Sequence, residues 1–157
     1  MNIRIPKQLH KIKYRFIPLG KNSKKPMYKN WQIDNNYTYD SYKLTNFLKL
    51  NYNYCVLTGF GKLVVLDFDN LKIWRILSKK LPRTFTVLSG SGLYHLYFSM
   101  DKTTSFKILD ENKNTLIDIQ GKGKQVVGAN SIHPNGNIYD IYCDQDIQFF
   151  SYDELLN

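Results

Sequence analysis

The segment Leu63-Val64-Val65-Leu66-Asp67-Phe68-Asp69 is an apolar run that ends in two carboxylates, and the predicted fold is built around it. Side chains two residues apart in a β-strand share a face, so Asp67 and Asp69 would project together, with Phe68 packed on the other face. Neighbouring carboxylates repel unless a cation lies between them, and hard divalent cations prefer oxygen ligands. The stretch therefore predicts either a metal-binding strand or a strand that runs into an Asx turn, with Asp69-Asn70 capping the next helix.

The composition favours one domain without disulfides or zinc. The 157 residues include two cysteines, Cys55 and Cys143, and three scattered histidines, too few for a disulfide framework or a zinc site built on cysteines. We expect a single domain over residues 1–157, with a basic N-terminal αβ part at about 1–50 and a sheet that carries the site at about 51–150. No apolar run approaches the ~20 residues that span a bilayer, and the start of the chain is too polar for a signal peptide. We therefore expect a soluble, cytoplasmic protein with no membrane partner.

Charge is spread unevenly along the chain. Lys and Arg number 22 against 13 Asp and Glu, and residues 1–30 carry nine basic side chains and no acidic one. After Lys124 there is no further Lys or Arg, while five acidic residues follow. A basic front half suits a nucleic-acid backbone, which binds cations with release of counterions. An AT-rich coding bias would give the same charge without any partner.

The periodicity predicts three helices and one long loop. We expect a short helix within residues 4–13 and a second helix from an N-cap at Thr38 to about residue 50. Apolar residues at helical spacing predict a third helix over residues 71–80, packed on a sheet. Residues 101–114 are polar, which indicates a loop.

The strands predict an α+β fold, a mainly antiparallel sheet with helices on one face. Turn residues between β-like runs predict two hairpins, which pair residues 54–57 with 62–67 and residues 85–89 with 94–98. Further strands are expected at residues 14–18, 116–120, 125–128 and 138–142.

Two further features fit phosphate chemistry. Asp118 stands in the centre of a short predicted strand, where Asp is disfavoured by propensity, so a functional or paired role is favoured. Three carboxylates on neighbouring strands can hold two Mg²⁺ or Mn²⁺ ions, as in phosphoryl and nucleotidyl transfer. The turn Ser89-Gly90-Ser91-Gly92 lets backbone N–H groups approach a phosphate, with His95 at its rim. The same segment also fits a plain hairpin turn, and a lone strand histidine is more often structural.

The order of these motifs resembles the N-terminal Prim-Pol domain of bifunctional DNA primase/polymerases, in the archaeo-eukaryotic primase superfamily. The resemblance covers about residues 14–142. It rests on an ordered set of motifs, which are Phe16-Ile17-Pro18-Leu19, Lys24-Lys25-Pro26, Trp31, Tyr54-Cys55-Val56-Leu57-Thr58-Gly59, Leu63-Val64-Val65-Leu66-Asp67-Phe68-Asp69, Leu81-Pro82-Arg83-Thr84, Ser89-Gly90-Ser91-Gly92-Leu93-Tyr94-His95-Leu96-Tyr97-Phe98, Ile117-Asp118-Ile119-Gln120-Gly121-Lys122-Gly123, Ser131-Ile132-His133-Pro134-Asn135-Gly136 and Tyr139.

The resemblance implies a template-directed nucleotidyltransferase of DNA replication or repair. Its catalytic fold would be an RRM-like sheet fused to an N-terminal αβ unit. The implied metal carboxylates, for two Mg²⁺ or Mn²⁺ ions and no zinc, are Asp67, Asp69 and Asp118. The implied nucleotide-binding residues are Ser89, Gly90, Ser91, His95 and Lys122. Lys122 stands, together with Gln120, where relatives often place an arginine.

The implied partners are a DNA template and primer, a dNTP or NTP, and a possible helicase or primase accessory domain or subunit. From the charge distribution we expect nucleic acid to contact Lys24, Lys25 and Lys29. Because the chain contains no zinc element or helical accessory domain, we expect it to extend primers and to start them poorly.

Other interpretations stay open at this stage. One is a catalytically inactive module that binds DNA or nucleotide at a replication origin. An Asp-x-Asp after an apolar run also occurs in metal-dependent nucleotide-sugar transferases and in haloacid-dehalogenase-type phosphatases. The phosphatase pattern requires a Thr shortly after the second Asp, whereas Asn70-Leu71-Lys72 follows here.

Overall fold

Two sheets of unequal size organise residues 3–157, the part of the chain that the computed structural model describes. The fold is α+β, with mostly antiparallel pairing and few helices. The strands are β1 Arg15–Pro18, β2 Tyr54–Leu57, β3 Leu63–Phe68, β4 Thr86–Leu88, β5 Tyr94–Ser99, β6 Phe106–Leu109, β7 Thr115–Gln120, β8 Gln125–Val127, β9 Asp140–Cys143 and β10 Gln148–Phe149. The α-helices are α1 Tyr42–Lys49, α2 Leu71–Leu77 and α3 Tyr152–Leu156.

The larger sheet places β3 near its centre. Its strand order is β6-β7-β3-β5-β4-β9, all antiparallel, and β10 runs parallel to β5 beside Phe98 and Ser99. The apolar run that predicted a strand thus lies between β7 and β5, which both pair with it. The predicted hairpin of β4 and β5 is confirmed, since Val87 pairs with His95 across it.

The smaller sheet corrects one prediction. It has the order β1-β2-β8, so β2 pairs with β1 and β8 and does not form a hairpin with β3. The intervening segment does turn, because Gly59 and Gly61 have φ of 89° and 60° around a short 3-10 helix, Phe60–Lys62. This turn carries the chain from one sheet into the other, and local turn chemistry does not specify which strands become partners.

Two apolar clusters cover the opposite faces of β3. Leu63 and Val65 pack between the two sheets, in a cluster that includes Tyr54 of β2. Val64, Leu66 and Phe68 pack on the other face, against residues of α2 and α3. Burying apolar surface on both faces fixes the register of the strand, because a slip of one residue would exchange the two sets.

Three other elements differ from the expectations. The α1 helix begins after Ser41, and Thr38 instead donates a hydrogen bond to Asp40. The segment expected to be a loop at residues 101–114 contains the edge strand β6. The short helix expected within residues 4–13 is a single 3-10 turn, Lys7–Leu9.

The remaining helices follow local rules. Asn70 caps α2 by accepting a hydrogen bond from the backbone of Ile73, so an Asx cap does follow the carboxylate stretch. The α3 helix, which was not predicted, begins with a capping box between Ser151 and Glu154. Within residues 3–157, no helix is both long and apolar enough to cross a membrane.

Candidate active site

Three polar side chains lie next to one another across the centre of the larger sheet. Asp67 of β3 pairs with His95 of β5 on one side and with Asp118 of β7 on the other. Directly opposed residues of antiparallel strands project to the same face. His95 Nε2 lies 3.3 Å from Asp67 Oδ1. The alternation of β3, which buries Leu63 and Val65 on this face, therefore ends in a carboxylate flanked by an imidazole and a second carboxylate.

A cleft of about 230 Å³ opens over this face, between the two sheets. Residues 125–127 of β8 form one side of it. The candidate site residues that line the cleft are Lys24, Asp67, Asp69, Ser89, Ser91 and His95. The structure thus brings together in one place six residues that are separated by up to 71 positions in the chain.

The carboxylates interact unfavourably with one another. Partial burial, followed by the negative charges of Asp67 and Asp118, raises the pKa of Asp69. Burial also raises the pKa of Asp118, with a further contribution from Asp67. Like charges at short range disfavour the ionised state unless a cation compensates them. A positive charge placed among these carboxylates would therefore stabilise their ionised forms.

Lys107 supplies part of this positive charge, and the sequence did not lead us to predict its role. It lies on β6 directly across from Asp118, and its charge lowers the pKa of both Asp118 and Asp69. Residues 101–114 had been predicted to be a loop, which gives no reason to place a lysine beside the third carboxylate. The alternation of Phe106 and Ile108 with Lys107 was the available signal.

His95 is held on one side only. Its side chain is buried, and Nδ1 has no hydrogen-bond partner within residues 3–157 although Nε2 faces Asp67. Tyr139 lies nearby, with ring centroids 6.3 Å apart, and lines the same cleft. Burial, together with the charge of Asp67, raises the pKa of Tyr139 to about 12, so its hydroxyl remains a hydrogen-bond donor at neutral pH.

The serine–glycine turn is braced from behind. The Ser89 and Ser91 hydroxyl oxygens lie 2.9 Å apart. The Gly90 carbonyl accepts hydrogen bonds from the side-chain amides of Asn135 and Asn137. A Cβ at Gly90 would lie 2.2 Å from His133 Cβ, so only glycine fits. The loop at residues 133–137 therefore fixes the shape of the turn.

Not every predicted residue reaches the cleft. Gly90 faces the bracing loop, while Lys122 lines a separate pocket with Trp31 and Phe60. Lys25 and Lys29 are exposed, and neither lines the cleft that Lys24 lines. Asp118 does not line the cleft either, although its strand position is directly opposite Asp67.

Across residues 3–157, no three His, Cys, Asp or Glu side chains are arranged so that they could hold a metal ion. The candidate carboxylates of Asp67, Asp69 and Asp118 supply only oxygen atoms. Oxygen-only donors suit hard cations such as Mg²⁺ and Mn²⁺ and are a poor match for zinc.

An α+β fold with an acidic cleft beside a small-residue turn is an arrangement suited to binding and reacting phosphate esters. The chain belongs to the Prim-Pol family, because the family model described as bifunctional DNA primase/polymerase, N-terminal, matches residues 7–152. The resemblance drawn from the sequence motifs is thereby confirmed. Membership suggests a nucleotidyltransferase of the DNA primase/polymerase type. No curated protein matches the chain.

Proposed function

We propose that this chain is a template-directed nucleotidyltransferase, a DNA primase/polymerase, built as one catalytic domain on the archaeo-eukaryotic primase fold. The observation that carries the proposal is the convergence of Asp67, Asp118 and His95 on three adjacent strands, beside a cleft that also includes the serine–glycine turn. An acidic centre and a small-residue turn are the two halves of a site for nucleotide triphosphates.

The residues fit a pair of Mg²⁺ or Mn²⁺ ions held by Asp67, Asp69 and Asp118. The raised pKa values of Asp69 and Asp118 mark a site that gains from added positive charge. Mg²⁺ is commonly bound by one or two carboxylates plus substrate phosphates, without a complete protein cage. The lack of a preassembled three-residue group is consistent with ions that arrive together with the nucleotide. When bound, such ions activate the attacking hydroxyl and neutralise the developing charge on the phosphates.

The chain's own residues position the nucleotide. Ser89 and Ser91 present hydroxyl groups at the cleft, and the rigid backbone of their turn fixes where those groups point. His95, whose Nε2 lies 3.3 Å from Asp67 Oδ1, also lines the cleft and would donate a hydrogen bond to a phosphate oxygen there. Lys24 adds a positive charge at the same cleft.

The nucleic-acid strand runs along the basic N-terminal part of the chain. Lys25 and Lys29 lie near Lys24 in sequence and are exposed. Exposed lysine ammonium groups can contact backbone phosphates while they remain solvated. The position of Lys24 in the cleft links this surface to the nucleotide site. Lys122 lies outside the cleft, in the pocket of Trp31 and Phe60, so its proposed contact with the nucleotide would be made from that pocket.

The test is extension of a primed DNA template with labelled dNTP and Mn²⁺ or Mg²⁺. We expect Asp67→Asn and Asp118→Asn to lower extension by at least about 10³-fold, since each removes charge from the reacting centre while keeping side-chain volume. The control is Glu111→Gln, an exposed carboxylate in the β6–β7 turn, which should extend normally.

The same assay separates the alternatives. A binding-only module would retain DNA affinity and show no metal-dependent incorporation by the wild-type chain. Normal extension by either aspartate variant would remove the residue assignment. Extension abolished by chelation and restored by Mn²⁺ would support the metal assignment.

A further inference from the structure

A second cleft lies on the other face of the larger sheet, and we call it the reverse-face cleft. It has a volume of about 720 Å³, and Leu96 of β5 and Thr86 of β4 form its floor. Thr86 pairs directly with Leu96, whereas the adjacent Val87 pairs with His95. Because neighbouring residues of a strand point to opposite faces, His95 faces the candidate active site while Leu96 faces this second cleft.

The reverse-face cleft is strongly basic. Its lining includes Arg75, Lys79 and Arg83. No Asp or Glu occurs between Asp69 and Asp101 in the sequence, and within residues 3–157 none of these three cations forms an ion pair. Three unneutralised cations around one concave surface create a positive potential that attracts an anionic ligand.

An aromatic wall completes the cleft. Trp74 and Tyr142 line it, and Trp74 is stacked on Tyr94 with ring centroids 4.1 Å apart and an interplanar angle of 15°. Tyr142 packs edge-on against both rings, yet 58% of its surface is exposed. Its ring is therefore held in place by its neighbours while a large part remains open. A fixed, exposed aromatic ring beside cations is the combination on which bases of single strands stack.

We propose that the reverse-face cleft binds single-stranded nucleic acid, with Arg75, Lys79 and Arg83 contacting phosphates and Tyr142 stacking on a base. The inference rests on the proposed function only in that the bound strand would be a template or primer segment outside the active site. Duplex DNA fits less well, because its bases are already stacked and are not available to Tyr142.

The test uses a fluorescein-labelled 12-nucleotide oligo(dT), without metal or nucleotide. The double variant Arg75→Gln/Lys79→Gln should bind at least about fivefold more weakly than wild type. The slope of log affinity against log salt should fall by about 1.4, since each single-strand phosphate contact contributes about 0.7. The matched control is Lys72→Gln/Lys80→Gln, which removes the same charge from the same segment at exposed positions outside the cleft. It should bind within about twofold of wild type, with an unchanged slope.

A second variant isolates the stacking contact. Tyr142→Leu should weaken oligo(dT) binding by about fivefold or more while leaving the salt slope unchanged, because stacking releases no counterions. The chain has two tryptophans, so Trp31→Phe leaves Trp74 as the only one. In that background, oligo(dT) should quench the tryptophan emission, and Tyr142→Leu should reduce the quenching at equal oligonucleotide concentration.

The outcomes separate this inference from the proposed function. One outcome is that wild type extends primers while Arg75→Gln/Lys79→Gln and its control Lys72→Gln/Lys80→Gln bind oligo(dT) with the same affinity. In that case the reverse-face cleft is not a nucleic-acid site and the proposed function stands. If wild type does not extend primers but the Arg75/Lys79 and Tyr142 variants bind as described, the inference stands and the proposed function falls. A thermal melt of each variant verifies that it is folded.

Discussion

The two faces of β3 differ at their third position, where one face carries an apolar side chain and the other carries the carboxylate of Asp67. On the face toward α2, every side chain is apolar and buried, at Val64, Leu66 and Phe68. On the face toward the smaller sheet, Leu63 and Val65 are buried in the same way, but the third side chain is Asp67. The strand therefore contributes to two cores and presents its one charge where the cleft between the sheets opens.

The position of Asp67 on β3 lets the strand carry a charge without disturbing either apolar core. A carboxylate in the middle of either core would carry a large desolvation penalty. Placed where the packed part of the face ends, Asp67 is only partly buried and has His95 beside it. The neighbouring strands then supply Asp118 and the serine–glycine turn at the same level. The repulsion between the clustered carboxylates contributes to the raised pKa values of Asp69 and Asp118.

The largest expected effect comes from exchanging one residue on each face. Asp67→Asn should lower primer extension by at least about 10³-fold and change the free energy of unfolding by about 1 kcal/mol or less, because the amide keeps a polar group beside His95 and removes the repulsion with Asp69 and Asp118. Leu66→Ala should lower the free energy of unfolding by about 2–5 kcal/mol through transfer and cavity terms. Its extension rate per folded molecule should remain near wild type.

Denaturant unfolding measured beside steady-state extension checks both halves of this contrast. The assignment of different roles to the two faces would be contradicted if Leu66→Ala is fully folded yet loses extension. It would also be contradicted if Asp67→Asn loses as much stability as Leu66→Ala.

A smaller effect is expected at His95, which shares the face of Asp67. We expect His95→Gln to raise the KM for dNTP by at least about tenfold, because loss of one charge-assisted bond to phosphate costs about 1.5–3 kcal/mol. Affinity for oligo(dT) should stay unchanged, since His95 lines the active-site cleft and does not line the reverse-face cleft. An unaltered KM in steady-state kinetics would make His95 a structural partner of Asp67 only.

The local pattern of β3 predicted both faces of the strand correctly. Alternation alone placed Leu66 and Phe68 opposite Asp67, and the structure packs them in a separate cluster. Pairing partners were less predictable. Residues 54–57 and 62–67 have the composition of a hairpin, but β2 joins the smaller sheet, because long-range packing of Tyr54 and Val56 decides its partners. Turn residues predict that the chain reverses direction, but they do not predict which sheet the following strand joins.

Part of the candidate site was also predictable, and the limit is instructive. Asp67 was identified because it and Asp69 end an apolar run two residues apart, and Asp118 was identified because Asp is disfavoured in the centre of a strand. Lys107 was missed because an exposed edge strand with lysine is hard to distinguish from a polar loop. Tyr139 was named among the motifs, but its place in the cleft depends on an isolated bridge region between Ile132 and Ile138, for which the sequence gives no periodic signal.

The clustering of carboxylates also predicts a pH dependence of stability in the metal-free chain. Burial raises the pKa of Asp118 above 3.8 in the folded state. An acid with a raised pKa favours folding fully below its unfolded value, and this contribution is lost as pH rises through the folded value. Asp118→Asn should therefore gain stability relative to wild type as pH rises from about 3.5 to 7. Denaturant unfolding in EDTA at the two pH values measures this change.

A control of opposite sign is available on the neighbouring turn. Backbone and side-chain hydrogen bonds from Asn114 lower the pKa of Asp110, so its stabilising contribution is present above pH 3.8 and lost as pH falls. Asp110→Asn should therefore lose stability relative to wild type as pH rises over the same interval. If the two variants change in the same direction, the carboxylate cluster is not the source of the effect.

The smallest expected effect tests the cation that sequence reasoning missed. Lys107 lies opposite Asp118 and lowers the pKa of Asp118 and Asp69, so Lys107→Gln should raise both. The proposed function requires ionised carboxylates, so the acid limb of kcat/KM for extension should move to higher pH by about a few tenths of a unit. Lys113→Gln removes an equal charge from the turn of the same hairpin, at a position that is not paired across from Asp118, and should leave that limb in place. Coincident acid limbs for Lys107→Gln and Lys113→Gln would mean that Lys107 is too well screened by solvent to act on the carboxylates of the candidate site.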